Sequence, residues 1–326
     1  MRSISLAATG VSGALLSACL PAAQNVQCIE NSNCDRFTGG ACHEAASGAQ
    51  WCSYPDPECR SGYRYSDLDV GDGLSGRCVE APDVHEPPPG MGLVPAGPFL
   101  RGCNASFESC PPSSSELPFG TVTLRDYYID FTEVPQIAYQ ECITAGACSA
   151  PPETGNGEWN PIAKPLHPVT LVTWQEAAGY CGWRGKRLPT EAEWEKAARG
   201  VNGSTYPWGN AAPNCSLANY QGCPGADLLP VGSQSAGESP FRIQDMAGNV
   251  MEFVQDWHDD KYYATSPTSD PQGPSSGEGK VLRGGCWDYQ GSSYCDIGLL
   301  RSAQRGLHTE ITGRFRVVGF RCAWSS

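Results

Sequence analysis

Apolar residues come in short bursts along this chain, each long enough for a few residues of strand or two turns of helix. Val281-Leu-Arg-Gly-Gly-Cys-Trp287 is the burst around which the others are organised. It reads as a buried strand ending in a glycine pair, where the missing side chains let the backbone turn sharply and send Cys286 and Trp287 towards a groove. A polar loop carrying Cys295 follows, then Arg301-Ser-Ala-Gln-Arg305, then the strand-like Gly319-Phe-Arg-Cys322. Upstream, Met91 to Gly102 reads as strand interrupted by turn residues, and Val122 to Phe131 alternates apolar and polar over most of its length. Pro135 opens a short helix through Ile137, Tyr139, Cys142 and Ile143 that Gly146 closes. Thr173-Trp-Gln-Glu176 and Thr190-Glu-Ala-Glu193 are capping boxes, so two further helices are expected. The second of these stops at Gly200, and a short basic turn joins the two into a helical hairpin packed on a sheet. Phe241 to Trp257 reads as a turn running into a strand, and no internal repeat is present.

Composition agrees with a loop-rich α+β fold. In 326 residues there are 38 glycines and 27 prolines, while charged residues make up only 17 %. The formal charge of −13 argues against nucleic acid or an anionic membrane surface as main partner, since either would repel it.

Cysteine use divides the chain. Seventeen cysteines point to an oxidising compartment and an exported protein. Met1-Arg2, the apolar run Ile4 to Leu16 and Leu16-Ser-Ala-Cys19 resemble a bacterial lipoprotein leader, with Cys19 as the lipidated residue. Ordinary secretory cleavage near Pro21-Ala-Ala23 is the alternative. The expected layout is a leader over 1–18, a lipid-anchored tether over 19–27, a small disulfide-rich domain over 28–80, a proline-rich linker over 81–90 and one large domain over 91–326. The small domain carries Cys28, Cys34, Cys42, Cys52, Cys59 and Cys78, enough for three disulfides where large apolar residues are scarce. It has no Cys-x-x-Cys pair and one histidine, His43, so zinc is the weaker reading. A lipid anchor would place the protein at the cell envelope.

Asn249 and Glu252 sit at a turn with a spacing suited to an oxygen-rich calcium shell; an Asx-turn beside a satisfied glutamate is the alternative. Cys142 and Cys148 flank a helix end closely enough for a local disulfide.

Several runs together resemble one family. They are Val94-Pro-Ala-Gly97, Thr173-Trp174, Gly185 through Gly200, Tyr206-Pro-Trp-Gly-Asn210, Asp245-Met-Ala-Gly-Asn-Val250 with Glu252, Val281 through Gly285, and Gly319-Phe-Arg321. In this order they resemble the formylglycine-generating enzymes, or sulfatase-modifying factors. The resemblance implies a C-type-lectin-like domain with little regular secondary structure and with bound calcium. It assigns Gly248, Asn249, Val250 and Glu252 to one calcium site, and Asn219 with Tyr220 to a second whose acidic partner is displaced to Asp227. It also implies a disulfide between Cys181 and Cys322. The cysteines that remain then fall into neighbouring pairs: Cys103 with Cys110, Cys142 with Cys148, Cys215 with Cys223, and Cys286 with Cys295.

The family activity is O₂-dependent oxidation of a client-protein cysteine to formylglycine on Cu⁺ held by two thiolates, because soft Cu⁺ needs soft ligands. Here the pattern departs from the family. Cys286 stands where a serine is usual, the first ligand position falls near Tyr289, and Cys295 resembles the second. A working site would need Cys286 and Cys295 as a free pair; as a disulfide they would be a structural clip.

Two functions therefore compete. One is an oxidase acting on an exported client such as a sulfatase, with two reactive thiols and Cu⁺. The other is a non-catalytic, calcium-stabilised lectin-like module that binds a peptide or another envelope ligand. Iron-dependent relatives need a His-rich domain, whereas His43, His85, His167, His258 and His308 are scattered and read as surface residues. Arg301 and Arg305 match family arginines by position, and a structural ion pair explains them equally well.

Overall fold

The computed structural model describes Ala41–Glu44, Gln50–Pro55 and Tyr63–Tyr65, and residues 88–325 except 111–113, 154–157, 226, 288–294 and 309–311. The chain divides into two units, Met1–His85 and Glu86–Ser326, at a point inside the proline-rich stretch. Cys19 and the leader and tether around it lie outside the described residues, as do Cys28, Cys34, Cys59 and Cys78. The small unit is a three-stranded antiparallel sheet of β1 (Ala41–Glu44), β2 (Gln50–Pro55) and β3 (Tyr63–Tyr65), in which Cys42 and Cys52 face each other in register.

The large unit begins with β4 (Met91–Val94), β5 (Gly97–Arg101), β6 (Gly120–Leu124) and β7 (Tyr127–Asp130). The alternating stretch from Val122 to Phe131 is thus shared between two strands. β6 pairs with β5 while β7 pairs with β4, in different sheets. The break falls at Arg125, whose backbone N–H donates to Asp270 Oδ1 at 2.8 Å and whose Nε donates to Oδ2 at 3.1 Å. A ladder donor is thereby turned aside.

Three helices follow, α1 (Gln136–Thr144), α2 (Trp174–Trp183) and α3 (Glu191–Arg199). Both capping boxes form in full. The Thr173 and Thr190 backbone N–H groups donate to Glu176 and Glu193 at 2.8 and 2.7 Å, and each threonine Oγ1 accepts an N–H in return. The expected hairpin opens out, however: α2 lies against α1 and the strand β8 (Met251–Trp257), and α3 against β5 and β8. Both helices pack on the sheet, and α2 also stacks Tyr180 on Tyr139 of α1.

β8 is central. A short helix α4 (Tyr262–Thr265) follows it, then β9 (Lys280–Arg283), β10 (Gly306–His308), β11 (Val318–Phe320) and β12 (Ala323–Trp324). The main sheet has the order β10-β9-β8-β11, with β11 parallel to β8, and β12 joins the β7-β4 sheet. One core cluster gathers Tyr139, Tyr180, Phe253 and Phe320 around the Cys181–Cys322 disulfide, and a second surrounds Trp194. Among the described residues no helix is long and apolar enough to cross a membrane.

Candidate functional site

The glycine pair after β9 does what its missing side chains allow. Gly284 and Gly285 have φ of 95° and 73°, and a Cβ on Gly285 would lie 3.0 Å from the Leu299 backbone. The turn delivers Cys286 into the core, where it is bonded to Cys295 (S–S 2.01 Å) with both residues 1 % exposed. Residues 288–294, including Tyr289, lie outside the described residues. The other disulfides of the large unit are Cys103–Cys110, Cys142–Cys148, Cys181–Cys322 and Cys215–Cys223. Sulfur bonded to sulfur has no thiolate to offer, so Cys286 and Cys295 as they stand do not fit Cu⁺.

The two stretches assigned to calcium meet in one knot. Asn249 adopts φ 58° and its N–H donates to the Asn219 carbonyl at 2.7 Å, while its side-chain oxygen accepts from Leu229 N–H at 3.1 Å and Asn219 Nδ2 at 3.3 Å. Gly248 allows this contact, since a Cβ there would lie 2.3 Å from the same Asn219 oxygen. The Tyr220 carbonyl accepts from Cys223 N–H and its hydroxyl donates to Pro213. Glu252 is committed elsewhere. Arg321 donates to both its oxygens at 2.7 Å, and Trp194 Nε1 donates to one of them at 2.9 Å. Asp227 faces Lys164 from an exposed position.

Two further buried carboxyls border the knot. Glu133 bonds the Asn249 side chain at 2.7 Å and the Val250 N–H at 3.1 Å, and Asp245 takes the Gly232 N–H. Burial raises the Glu133 carboxyl well above its usual range, and the charges of Asp245 and Glu252 raise it further. Asp245 is raised by burial too. Glu133, Asp245 and Glu252 share the neighbourhood of Arg321, but among the described residues their carboxylate oxygens do not come close enough together for all three to hold one ion. By position, Glu252 departs from the expected shell because the guanidinium already holds it.

Sequence reasoning missed the ionic core that steadies β9. Arg283, wholly buried, donates to Glu195 at 2.7 Å, to Glu191 at 3.3 Å and to the carbonyls of Ser302, Ala303 and Gln304. Arg305 grips Glu191 with both Nε and Nη2 at 2.7 and 3.0 Å, and Arg301 holds Glu108 and Glu116. These two arginines are therefore structural. A charge inside Val281-Leu-Arg283 was the available clue, because an arginine in a buried strand must be paired. His167 and His258 also correct the surface reading: both are half-buried, and burial lowers the pKa of each.

A small cavity opens beside Trp287, whose backbone N–H donates to the Asn249 carbonyl at 3.0 Å. Its walls include Glu158, Lys164, His167, Asp227 and Arg316.

Comparison with known proteins accords with this geometry. The family model described as "Sulfatase-modifying factor enzyme 1-like domain" matches residues 78–326. The formylglycine-generating enzyme of Streptomyces coelicolor is 33 % identical over 291 residues, spanning 72 % of this chain and 88 % of that protein. The serine/threonine-protein kinase pkn1 of Chlamydia pneumoniae is 37 % identical over 276 residues, but the match spans 76 % of this chain and only 40 % of the kinase. PvdO from Pseudomonas aeruginosa shares the fold, with a TM-score of 0.58 at 24 % identity over 72 % of this chain and 94 % of that one. A formylglycine-generating-enzyme-like fold, a matching family model over three quarters of the sequence and a relative matched over 88 % of its length agree: the chain belongs to the sulfatase-modifying factor enzyme 1-like family.

Proposed function

We propose that this protein is a non-catalytic member of its family, a binding module for an exported peptide segment, displayed at the cell envelope through a lipid on Cys19. The observation that carries the reading is the Cys286–Cys295 disulfide, buried at the base of the loop where the oxidase would keep two free thiolates. The anchor rests on the leader-like start of the chain and the paired cysteines of the large unit. Calcium is proposed as a structural ion of the Glu133–Asp245 knot, with Glu252 serving Arg321.

The competing reading, oxidation of a client cysteine to formylglycine, draws on the name of the Streptomyces relative. One experiment separates the two. The mature protein is denatured without reductant and alkylated, and in parallel a cysteine peptide is incubated with the native protein, copper and air. The binding-module reading expects no alkylation of Cys286 or Cys295 and no aldehyde in the peptide. Two alkylated loop cysteines, or recovered formylglycine, would overturn it.

A further inference from the structure

Among the described residues, five disulfides brace the large unit, and one of them differs from the rest in its surroundings. Cys181, Cys322, Cys286 and Cys295 are buried, and so are Cys103 and Cys142 in the two short clips they form. In Cys215–Cys223 alone are both cysteines partly exposed, and Asn214, Ser216, Gly222 and Pro224, which flank them, are exposed as well. A thiolate that opens a disulfide has to reach one of its sulfurs, so access decides which bridge reacts first. By that criterion Cys215–Cys223 is the reactive one.

What this clip holds gives its opening a consequence. It spans 8 positions with Asn219 at the midpoint. Asn219 grips Asn249 twice, its carbonyl accepting the Asn249 N–H at 2.7 Å and its Nδ2 donating to Asn249 Oδ1 at 3.3 Å. Asn249 stands at φ 58°, a left-handed conformation that a residue with a side chain keeps only where its surroundings impose it. Glu133 and Leu229 hold the Asn249 side chain, so the bond that fixes its backbone N–H is the one that comes from inside the clip. The Asn249 carbonyl in turn accepts the Trp287 N–H at 3.0 Å. A short series of backbone contacts thus runs from the exposed bridge to the residue that follows Cys286.

From this we infer that Cys215–Cys223 is a site of thiol–disulfide exchange with a dithiol reductant, and that opening it releases the Asn219–Asn249 contact and loosens Trp287. One thiolate of the dithiol bonds to Cys215 or Cys223, and the other cysteine leaves as a thiolate that takes up a proton. The second thiol of the reductant then displaces the mixed disulfide. The reductant is oxidised to its disulfide by two electrons, and Cys215 and Cys223 become thiols. A disulfide oxidant closes the clip by the reverse steps. The buried bridges stay shut meanwhile, so the change is confined to one loop and the turn it supports. The redox state at the surface is thereby read out beside Cys286. The inference goes beyond the binding-module reading and does not depend on it.

The test treats the natively folded full chain with stepwise dithiothreitol, caps the thiols with iodoacetamide and maps them by mass spectrometry. Within the large unit, Cys215 and Cys223 should be capped roughly tenfold or more faster than any other pair, because exchange follows access to sulfur. At the dose that opens this pair alone, hydrogen exchange at the Asn249 and Trp287 amides should quicken roughly tenfold or more. The Gln255 amide, which bonds the Pro189 carbonyl from β8 at 2.8 Å, should keep its protection. Cys215→Ser with Cys223→Ser should show the same two fast amides without reductant. Cys142→Ser with Cys148→Ser, which opens a clip of 6 positions elsewhere, should not. The reductant arm needs no variant, so a double substitution that fails to fold leaves the test intact. Another pair opening first would overturn the inference, as would protection kept at Asn249 and Trp287 once Cys215 and Cys223 are capped. Protection lost at Gln255 as well would also overturn it, because the unit would then be unfolding as a whole.

Discussion

Arg321 holds Glu252 through two hydrogen bonds of 2.7 Å, Nε to Oε2 and Nη2 to Oε1, with neither side chain exposed to any degree. The pair ties β11's end to the middle of the main sheet, since Gly319 stands opposite Glu252 in the β11–β8 register. A buried pair of this kind is costly to break from one side only. Glu252→Ala should lower unfolding free energy by about 3–5 kcal/mol, because a guanidinium is left buried without its partner. The double change Glu252→Met with Arg321→Met should cost clearly less. Urea denaturation of both variants measures the difference, and equal losses would show that packing and not the uncompensated charge decides.

Two glycines should respond with opposite sign. Gly248→Ala forces a Cβ to 2.3 Å from the Asn219 oxygen at φ 84°, and a loss of about 2 kcal/mol or more is expected. Gly179, exposed in the middle of α2, has nothing within 4 Å of such a Cβ. Gly179→Ala should gain about 0.5–1 kcal/mol through helix propensity. Thermal melts of the two variants side by side check the sign.

Asp256 makes stability depend on pH. Burial, reinforced by the Glu191 charge, pushes its carboxyl up to about 8. An unfolded aspartate titrates near ~3.9, so the folded state holds the extra proton between those values. Its contribution is complete below pH ~4 and is lost as pH rises towards ~8. Asp256→Asn keeps an oxygen for the Glu191 N–H, now 2.7 Å from the carboxylate, and removes the titration. Urea midpoints from pH 5 to 8 should fall for the wild type and fall less steeply for the variant.

The disulfides should differ in worth according to the loops they close. Cys181–Cys322 spans 141 residues and Cys286–Cys295 spans 9. On the chain-entropy argument the first restrains the unfolded chain by about 5 kcal/mol and the second by about 2.5 kcal/mol. Paired Cys→Ser variants, compared by guanidinium unfolding, should rank in that order.

Calcium gives a further check. If the Glu133–Asp245 excess charge is the cation's attraction, 1–2 mM calcium, on the order of 100-fold above a ~10 µM dissociation constant, should stabilise the chain by about 2.7 kcal/mol over EGTA. Asp245→Asn should abolish the rise in melting temperature, while no rise in the wild type would remove calcium from the account.

Much of the fold could be read because its local rules are short-range. Thr173 with Glu176 and Thr190 with Glu193 announce helix starts within four residues, and Gly284-Gly285 announces a turn. The paired cysteines of the large unit were legible for the same reason, except Cys181 and Cys322, for which family resemblance was needed. Arg283 with Glu191 and Glu195, and Glu133 bonded to Asn249, were not legible, because contacts across 88, 92 and 116 positions leave no periodic trace. The split between β6 and β7 was missed on similar grounds: its cause is Asp270, far along the chain from Arg125. Nor does spacing reveal that His167 and Trp287 line one cavity.

The buried clip at Cys286 and Cys295 has one more consequence. Cys286 stands three residues past the end of β9, so the weld to Cys295 anchors that strand's exit, and the ionic core of Arg283, Glu191 and Glu195 keeps one fixed end.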